Sequence, residues 1–265
     1  SAFSPKLGIV YKATPELAFY GQYARGFRSP PYDDANIGFT NFAFQYTVLP
    51  NGDLEPETSD SFELGIRGAY PSLNFTLAGF YNDYDNFIDT VRVGTRPSDG
   101  FSQFQSQNID QAEIYGVEAE LEYFITGSQR NGLSLITSIA WAEGNNTSGG
   151  ESVPLNSINP LEAVVGLRYR ALENRWGTEL IATIVGDKTR IDGDDLFAPD
   201  GYTIVDLIGY YNVSDRLSIN LGLFNLFNEK YFVWSDVKEL SADNEGLERF
   251  AQPGFNVAAS VRFRF

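Results

Sequence analysis

Apolar and polar residues alternate with a period of two along most of this chain, a pattern that predicts β-strands with one apolar and one polar face. The C-terminal segment is the clearest case, and its apolar face is made of Phe255, Val257, Ala259, Val261, Phe263 and Phe265. The same alternation recurs at residues 7–12, 17–23, 62–70, 73–81, 115–125, 133–141, 163–169, 176–184, 203–211 and 217–225. We predict about eleven strands, each near the ten or so residues that a tilted strand needs to cross a membrane.

Short and long connections alternate between these strands. Tight turns are predicted at residues 14–15, 71–72, 126–131, 171–175 and 213–216, and long polar loops at 26–60, 82–111, 143–160, 187–201 and 227–254. An outer-membrane β-barrel sorts its connections in this way, with short turns on the periplasmic side and long loops outside. A soluble sandwich has no reason to do so. We therefore predict an all-β, transmembrane antiparallel barrel in a bacterial outer membrane, in contact with lipid and lipopolysaccharide.

The two faces of the strands differ in charge. The apolar face ends in aromatic residues such as Tyr123, Trp141, Trp176 and Tyr211. The polar face carries Gln22, Glu63, Arg67, Glu118, Glu120, Glu122, Arg168, Arg170, Arg262 and Arg264. Periodicity alone fits both a soluble barrel with a polar exterior and a membrane barrel with a polar lumen. The aromatic strand ends favour the membrane barrel, in which the charged face lines the lumen.

Composition removes several classes of function. The chain has no Cys, His or Met, so it lacks a Ser-His-Asp triad, a catalytic thiol and a conventional zinc site. We predict no catalytic residue, no metal site and no enzyme activity. A formal net charge of -16 argues against a nucleic-acid partner, which requires a basic surface. Asp192, Asp194, Asp195 and Asp200 resemble a Ca²⁺-binding loop only weakly, and we interpret them as a solvated acidic loop below lipopolysaccharide.

The order of turns and loops also predicts on which side the chain begins. The last strand is predicted to end in the periplasm, and counting back places the start of the first strand outside. A complete bacterial barrel begins and ends inside with an even number of strands. We therefore expect residues 1–265 to be one part of a barrel domain, with the first barrel half and any plug upstream.

Several segments resemble the conserved boxes of TonB-dependent receptors, particularly the haem and haemoglobin branch. Residues 26–31 resemble the "FRAP" box, 51–58 the "NPNLKPE" box, 61–68 the "ExG" strand, 115–120 the "GxE" strand and 225–231 the "NLFD..Y" box. The terminal Phe265 resembles the signal read by the barrel-assembly machinery. These boxes follow in order along nearly the whole chain. The resemblance implies that the chain is the C-terminal half of a barrel of roughly 22 strands around a plug.

That family imports iron chelates across the outer membrane. The resemblance implies a small-molecule ligand such as haem, a haem-protein or a ferric siderophore, carried as cargo, with no permanently bound cofactor. Energy would come from the TonB-ExbB-ExbD complex. In the family, glutamates of the two strand boxes pair with arginines of the plug, which implies plug contacts for Glu63 and Glu118. We add Arg67, which lies near the periplasmic end of the same face, as a further candidate.

Candidate ligand-binding residues lie in and after the FRAP-like box. They are Phe27, Arg28, Tyr32, Asp33, Asp34, Phe42 and Tyr46, which give this loop an aromatic and acidic character suited to a flat or hydrophobic chelate. Haem receptors usually carry a ligating His between the two boxes. This chain has none, so Tyr32 and Tyr46 are the remaining candidates for phenolate ligation.

Other classes of protein fit parts of this pattern. A passive porin or an adhesin-type barrel would share the strands and loops but would lack a plug. A TonB-dependent receptor for vitamin B12 or an oligosaccharide would share the whole architecture. A soluble, acidic β-sandwich that binds sugars would pack its apolar faces on each other.

Overall fold

A computed structural model describes residues 3–126, 131–150 and 152–265. The strands are β1 (Lys6–Lys12), β2 (Leu17–Arg28), β3 (Phe39–Asn41), β4 (Tyr46–Leu49), β5 (Glu57–Ala69), β6 (Leu73–Thr95), β7 (Ser102–Phe124), β8 (Gly132–Asn146), β9 (Val153–Pro154), β10 (Glu162–Arg170), β11 (Trp176–Val185), β12 (Tyr202–Ser214), β13 (Leu217–Phe224) and β14 (Asn256–Phe263). Two short helices, α1 (Tyr32–Asn36) and α2 (Trp234–Val237), and 3₁₀ turns at Ser148–Gly150, Leu172–Asn174 and Leu247–Phe250 complete the elements.

Eleven of these strands form one continuous sheet in the order β1-β2-β5-β6-β7-β8-β10-β11-β12-β13-β14. Each of them is antiparallel to its neighbours, which confirms the predicted all-β fold and the predicted number of strands. The other three strands lie in the connections, where β3 pairs with β4, β4 pairs in parallel with β7, and β9 pairs with β8. Within the described residues, β1 pairs only with β2 and β14 only with β13, so both edges of this sheet are open.

Short and long connections alternate as predicted, with one correction. Residues 82–111 were predicted to be a long loop, but most of them belong to the two 23-residue strands β6 and β7, which a tight turn joins. Beyond the outer ends of the neighbouring strands, this hairpin has polar residues on both faces. Alternation is therefore lost there, although the backbone remains extended. The predicted turn at 126–131 lies partly outside the described residues.

The register separates the two faces of the sheet. Gln22, Glu63, Phe80 and Gly116 lie side by side across β2, β5, β6 and β7, and the row beside them on the other face is Tyr23, Phe62, Tyr81 and Tyr115. On that apolar face Leu64 is 72% exposed. No second sheet covers these apolar side chains in the described chain, so the sheet has no core of its own.

The buried apolar core lies instead in the connections at the outer ends of the strands. Its centre is Phe104, Trp234, Val237 and Leu240, and Tyr46, Val48, Ile191, Phe197, Phe232, Leu247 and Phe250 pack against that centre. These eleven residues, called the outer core below, come from three loops and from β7. None of the helices in the described ranges is long and apolar enough to span a bilayer.

Candidate functional site

The FRAP-like and NPNL-like boxes meet across the outer ends of β2 and β5. Arg28 lies opposite Glu57 in the register, and its guanidinium is 3.8 Å from the Glu57 carboxylate. Glu57 is buried and also accepts a hydrogen bond from the Ile88 backbone N–H at 2.9 Å. A buried carboxylate with two such partners fixes the start of β5 against the long β6–β7 hairpin. Arg28 therefore has a structural contact in addition to its candidate role in binding.

The rest of the NPNL-like box crosses the β6–β7 hairpin and is held there by amide side chains. The Asn51 amide donates to the Ser106 carbonyl at 2.9 Å. Asn108 accepts from the Glu55 N–H at 2.8 Å and donates to the Glu55 carbonyl at 3.0 Å. The Asn108 side chain thus satisfies both backbone groups of one residue 53 positions away. Sequence reasoning missed Asn108, because a lone Asn in a polar segment gives no signal of so distant a partner.

The candidate ligand residues of the loop divide into exposed and packed side chains. Tyr32, on α1, and Phe42 are 72% and 74% exposed, and Asp33 beside Tyr32 is also exposed. Asp34 is half-buried, and its carbonyl accepts a hydrogen bond from the Asn51 N–H at 2.8 Å. Tyr46 packs in the outer core, with its ring 6.0 Å from that of Phe104. Phe27 lies at the outer end of β2 and is partly exposed.

A polar hub centred on Asn156 joins three outer loops beside the outer core. The Asn156 amide donates to the Asp192 carbonyl at 2.8 Å and to the Glu239 carboxylate at 2.5 Å, and its Oδ1 accepts from the Asp192 N–H at 2.8 Å. The Asn156 carbonyl accepts from the Trp234 indole N–H at 2.7 Å. Burial raises the pKa of Glu239, and the hydrogen bond from Asn156 opposes that rise.

Lys188 is the second charged member of the hub. Its ammonium donates to the Ile158 carbonyl at 2.7 Å and lies 4.8 Å from the centre of the Trp234 ring. Burial, and then the positive charges of Arg190 and Lys238, lower the pKa of Lys188 to about 8. We call Asn156, Lys188, Asp192, Trp234 and Glu239 the loop hub. Its contacts join residues up to 83 positions apart and hold the loops as one unit.

The acidic loop that follows β11 takes part in these contacts. Asp195 forms an ion pair with Arg92 of β6 at 2.9 Å. Asp192 binds Asn156 through its backbone groups. A polar cavity of about 570 Å³ lies beside the hub, lined in part by Asp89, Arg92, Asn108, Asp192, Asp195 and Glu239. No group of three or more acidic side chains in the described residues has a geometry that could hold a metal ion.

The lumenal face of the sheet carries the other candidate residues. Glu63 accepts a hydrogen bond from the Gln22 amide at 2.9 Å. The Arg67 guanidinium lies 6.0 Å from the centre of the Tyr20 ring, which covers Gly65, where a Cβ atom would collide with that ring. Glu118 lies between Ala78 and Ala140 in the register, and its side chain makes no hydrogen bond or ion pair with the described residues. The small neighbours therefore leave an exposed carboxylate on this face.

A compact ion-pair group occupies the same face nearer the short turns. Arg168 donates to Glu179 at 2.6 Å and to Glu122 at 3.3 Å. The three side chains belong to β10, β11 and β7, so the group spans β8 as well. Glu122 and Glu179 thus have an internal counter-charge, which Glu118 lacks.

The NLFD-like box forms a turn at the outer end of β13. Asn225 is buried and has a left-handed backbone with φ 51°. Its side chain accepts from the Glu229 N–H at 2.8 Å and donates to the carbonyls of Glu229 and Pro253 at 2.8 and 3.2 Å. The Asn side chain tolerates this conformation and closes the turn that starts the last outer loop.

Comparison of this chain with known proteins identifies its family. Residues 1–226 match the family model described as TonB dependent receptor-like, beta-barrel. The chain belongs to this family. That membership confirms the resemblance to TonB-dependent receptors inferred from the sequence boxes, and receptors of this family are located in the outer membrane.

Among curated relatives, the probable hemoglobin and hemoglobin-haptoglobin-binding protein 3 of Haemophilus influenzae is 27% identical and covers 99% of this chain and 31% of its own length. Hemoglobin-haptoglobin utilization protein B of Neisseria meningitidis is 27% identical and covers 100% of this chain and 37% of its own. The chain spans about a third of the length of these relatives. Their names match the haem and haemoglobin branch that the two outer boxes indicate.

Solved structures support the fold. The copper transporter OprC superposes with a TM-score of 0.79 at 23% identity, covering 99% of this chain and 39% of its own. The ferric enterobactin receptor of Pseudomonas aeruginosa gives a TM-score of 0.72 at 22% identity and covers 99% and 40%. The eleven-stranded sheet therefore has the fold of part of the barrel wall in these structures.

Proposed function

We propose that this chain is the C-terminal part of the wall of an active, TonB-dependent outer-membrane transporter that imports an iron chelate. The cargo is haem, a haem-protein or a ferric siderophore, and no bond is made or broken. The observation that carries the proposal is the division of the molecule into a charged lumenal wall and a folded outer surface that contains the FRAP-like and NPNL-like boxes. The names of the curated relatives favour haem or a haem-protein over a siderophore.

We further propose that other parts of the same protein complete the barrel. Both edges of the described sheet are open, and the relatives are about three times as long as this chain. An unpaired strand edge needs a partner within a bilayer, because exposed N–H and C=O groups are costly there. The first barrel half and a plug would supply that partner and fill the lumen. Energy would come from the TonB-ExbB-ExbD complex.

Plug contacts are assigned to Glu63, Glu118 and Arg67 in this proposal. Glu118 is the strongest of the three, because it faces the lumen between two alanines and has no partner in the described wall. A Glu118→Gln receptor is expected to release its plug at a lower urea concentration than the unmodified receptor. Glu122→Gln, on the same strand and face, is the matched control, since Glu122 already has Arg168 as a partner.

Ligand contacts are assigned to the exposed side chains Tyr32, Asp33 and Phe42 and to the half-buried Asp34, with Phe27 and Arg28 at the base of the loop. Tyr46 contributes by holding this loop on the outer core. In this arrangement a phenolate ligand to haem iron would come from Tyr32, whose ring is exposed.

Growth on defined iron sources tests the transport function. The full-length receptor would be expressed in a Gram-negative host without its own haem and siderophore receptors, with and without TonB. We expect growth on haemin or haemoglobin only when TonB is present. Growth that does not need TonB would indicate a passive porin, and failure to grow on haemin, haemoglobin and ferric siderophores alike would contradict iron import.

A further inference from the structure

The lumenal face of the sheet changes in chemistry from one side to the other. One row of the register crosses this face from β5 to β12 and contains, in order, Arg67, Thr76, Glu120, Ser138, Val164, Thr183 and Ile204. The row begins among charged side chains and ends among apolar ones. We call the lumenal residues of β5, β6 and β7 the charged sector, namely Glu63, Arg67, Thr76, Glu118, Glu120 and Glu122.

An apolar patch covers the lumenal face of β8, β10, β11 and β12. The Ile136 side chain lies over Gly166, where a Cβ atom would be 2.7 Å from Ile136 Cγ1. Ile181 is opposite Gly166 on the next strand. Val164, Ile204 and Ile208 are diagonal neighbours of Ile181 across the register, within reach of its side chain. These five large side chains, Ile136, Val164, Ile181, Ile204 and Ile208, are called the apolar patch below.

The apolar patch remains partly open in the described sheet. All five of its side chains are half-buried, so part of each faces the lumen. Asp206 lies beside Ile181 in the register, but its carboxylate accepts the Asn225 N–H at 2.8 Å, at the outer end of β13. The patch therefore presents apolar surface to a space that is polar in outer-membrane barrels. Contact of such surface with water is unfavourable in proportion to its area.

The position of the apolar patch restricts what can cover it. Lipid cannot, because Leu180 and Ile184, which are 43% and 41% exposed, lie on the opposite face of β11 and meet the bilayer. Water is an unfavourable cover, and a transported cargo occupies the lumen only in passing. The curated relatives are about three times as long as this chain, which leaves enough sequence for a plug inside the barrel. The plug is the one lasting occupant that fits an apolar lumenal surface.

The charged sector has the opposite requirement. Glu118 and Glu120 are exposed and form no ion pair with the described residues. A recess of about 660 Å³ opens beside them, lined in part by Arg67, Thr76 and Glu120. Wetted ion pairs contribute little to stability, since water solvates the separated charges nearly as well. A plug contact on the charged sector can therefore open and fill with water at low cost, whereas the same opening at the apolar patch is unfavourable.

We propose that the apolar patch is a permanent docking surface for the plug and that the plug separates from the charged sector when energy is supplied. The cargo then passes between the plug and β5, β6 and β7. The inference rests on the proposed transport function and specifies which side of the wall opens. The plug contacts assigned to Glu63, Glu118 and Arg67 are, in this arrangement, the ones that break during each transport cycle.

Two threonines of the same row provide a matched pair for cysteine labelling. Thr76 is in the charged sector, Thr183 lies between Val164 and Ile204, and both are half-buried. The chain has no Cys, so Thr76→Cys or Thr183→Cys can be the single reactive thiol of a full-length receptor that has no other cysteine. A water-soluble maleimide is applied to cells with and without haemin and TonB. We expect haemin and TonB together to speed labelling of Thr76→Cys about tenfold and to leave Thr183→Cys protected.

A second measurement needs neither cargo nor TonB. Cells without TonB are exposed to vancomycin, an antibiotic too large to cross an intact outer membrane. Ile181→Asn should lower the inhibitory vancomycin concentration about fourfold, because a polar side chain buried against the plug weakens that contact. Ser218→Asn is the control, since Ser218 is on the lumenal face of β13 outside both the apolar patch and the charged sector, and it should exclude vancomycin normally.

Contrary results separate this inference from the transport function. The inference is wrong if Thr183→Cys gains labelling as Thr76→Cys does, or if Thr76→Cys stays protected while the receptor imports haemin. Rapid labelling of Thr183→Cys at rest would show that water covers the apolar patch. Normal exclusion of vancomycin by Ile181→Asn would show that the plug does not depend on the patch. The transport function itself is contradicted only if the unmodified receptor supports growth on none of the iron sources.

Discussion

Apolar side chains are exposed on one face of the strand wall and buried in the outer core. In the wall, Leu64 and its neighbours point away from the sheet and stay exposed, whereas Val237 in the outer core is completely buried and Trp234 is 3% exposed. The wall therefore needs lipid as the solvent for one face, and the outer core is stabilised by packing within itself. In β6, apolar and polar residues alternate from Leu73 to Tyr81, which lie in the wall. The alternation ends beyond Tyr81, where β6 continues among the outer loops.

Removal of the central aromatic of the outer core should have the largest effect. Trp234→Ala leaves a cavity, breaks the hydrogen bond to Asn156 and removes the ring beneath Lys188. We expect the free energy of unfolding of the outer core to fall by about 3–5 kcal/mol. Hydrogen exchange of residues 186–201 and 225–255 in the full-length receptor would measure this loss.

The matched variant for Trp234 is Trp176→Ala, which removes the same side chain from the exposed face of β11. It should leave hydrogen exchange in the outer loops unchanged, because Trp176 packs on Tyr169 at the far end of the strands. Equal loosening of the outer loops in both variants would show that the outer core has no stability of its own.

A pair of neighbouring substitutions tests the wall. Leu77 is on the exposed apolar face of β6, and Thr76 faces the lumen between Arg67 and Glu120. Leu77→Arg is expected to cost about 2–4 kcal/mol in unfolding from lipid vesicles, because it places a charge at mid-membrane depth. Thr76→Arg should cost much less, since the lumenal face is already charged. If the two variants lose similar stability, the faces have been assigned wrongly or both are wet.

The sequence predicted the wall well because one physical rule governs it. A strand with lipid on one side and a polar lumen on the other must alternate, and short turns at one end follow from the topology. The rule stops at Tyr81. From Asn82 to Asn86 the residues are mostly Asp and Asn, which are rare in strands, so the pattern predicts a loop although the hairpin continues to Thr95.

The outer core and the loop hub follow no period. Asn156 contacts residues 36 to 83 positions away, and its partners lie in loops whose sequences resemble solvated turns. Glu239 has a left-handed backbone with φ 65°, a conformation that its residue type disfavours and that only its surroundings impose. The local sequence therefore does not predict such contacts. The boxes marked a candidate loop, but they did not reveal which of its aromatic side chains pack and which face outwards.

Asn156 should show how far the loop hub depends on one side chain. Asn156→Ala removes three hydrogen bonds, one of them the side-chain donor to the buried Glu239 carboxylate. We expect a loss of about 2 kcal/mol in the stability of the outer core, seen as faster trypsin cleavage at Lys188 and Arg190. Asn159→Ala, three residues along the same loop, is exposed and should cleave at the normal rate. Normal cleavage of Asn156→Ala would mean that packing alone holds the loops.

The last effect concerns pH and the buried Lys188. Its pKa of about 8 in the folded protein is below the value of 10.5 for an ordinary Lys. Between these two values the unfolded chain binds a proton that the folded outer core does not, so stability should increase as pH rises from 8 towards 10.5. The gain is at most about 1.4 kcal/mol per pH unit. Urea unfolding followed by Trp234 fluorescence at pH 7.5 and 9.5 would measure it.

Lys188→Met should abolish this rise, because no proton is then released on folding. Glu239 should give a pH dependence of the opposite sign. Burial raises the pKa of Glu239. Its contribution to the stability of the outer core should therefore increase as pH falls through that raised value. Glu239→Gln should remove the gain on the acid side and leave the alkaline rise intact. A flat response of the unmodified receptor between pH 7.5 and 9.5 would show that water reaches the Lys188 ammonium. The outer core would then resemble the wetted lumen more than the dry interior of a folded domain.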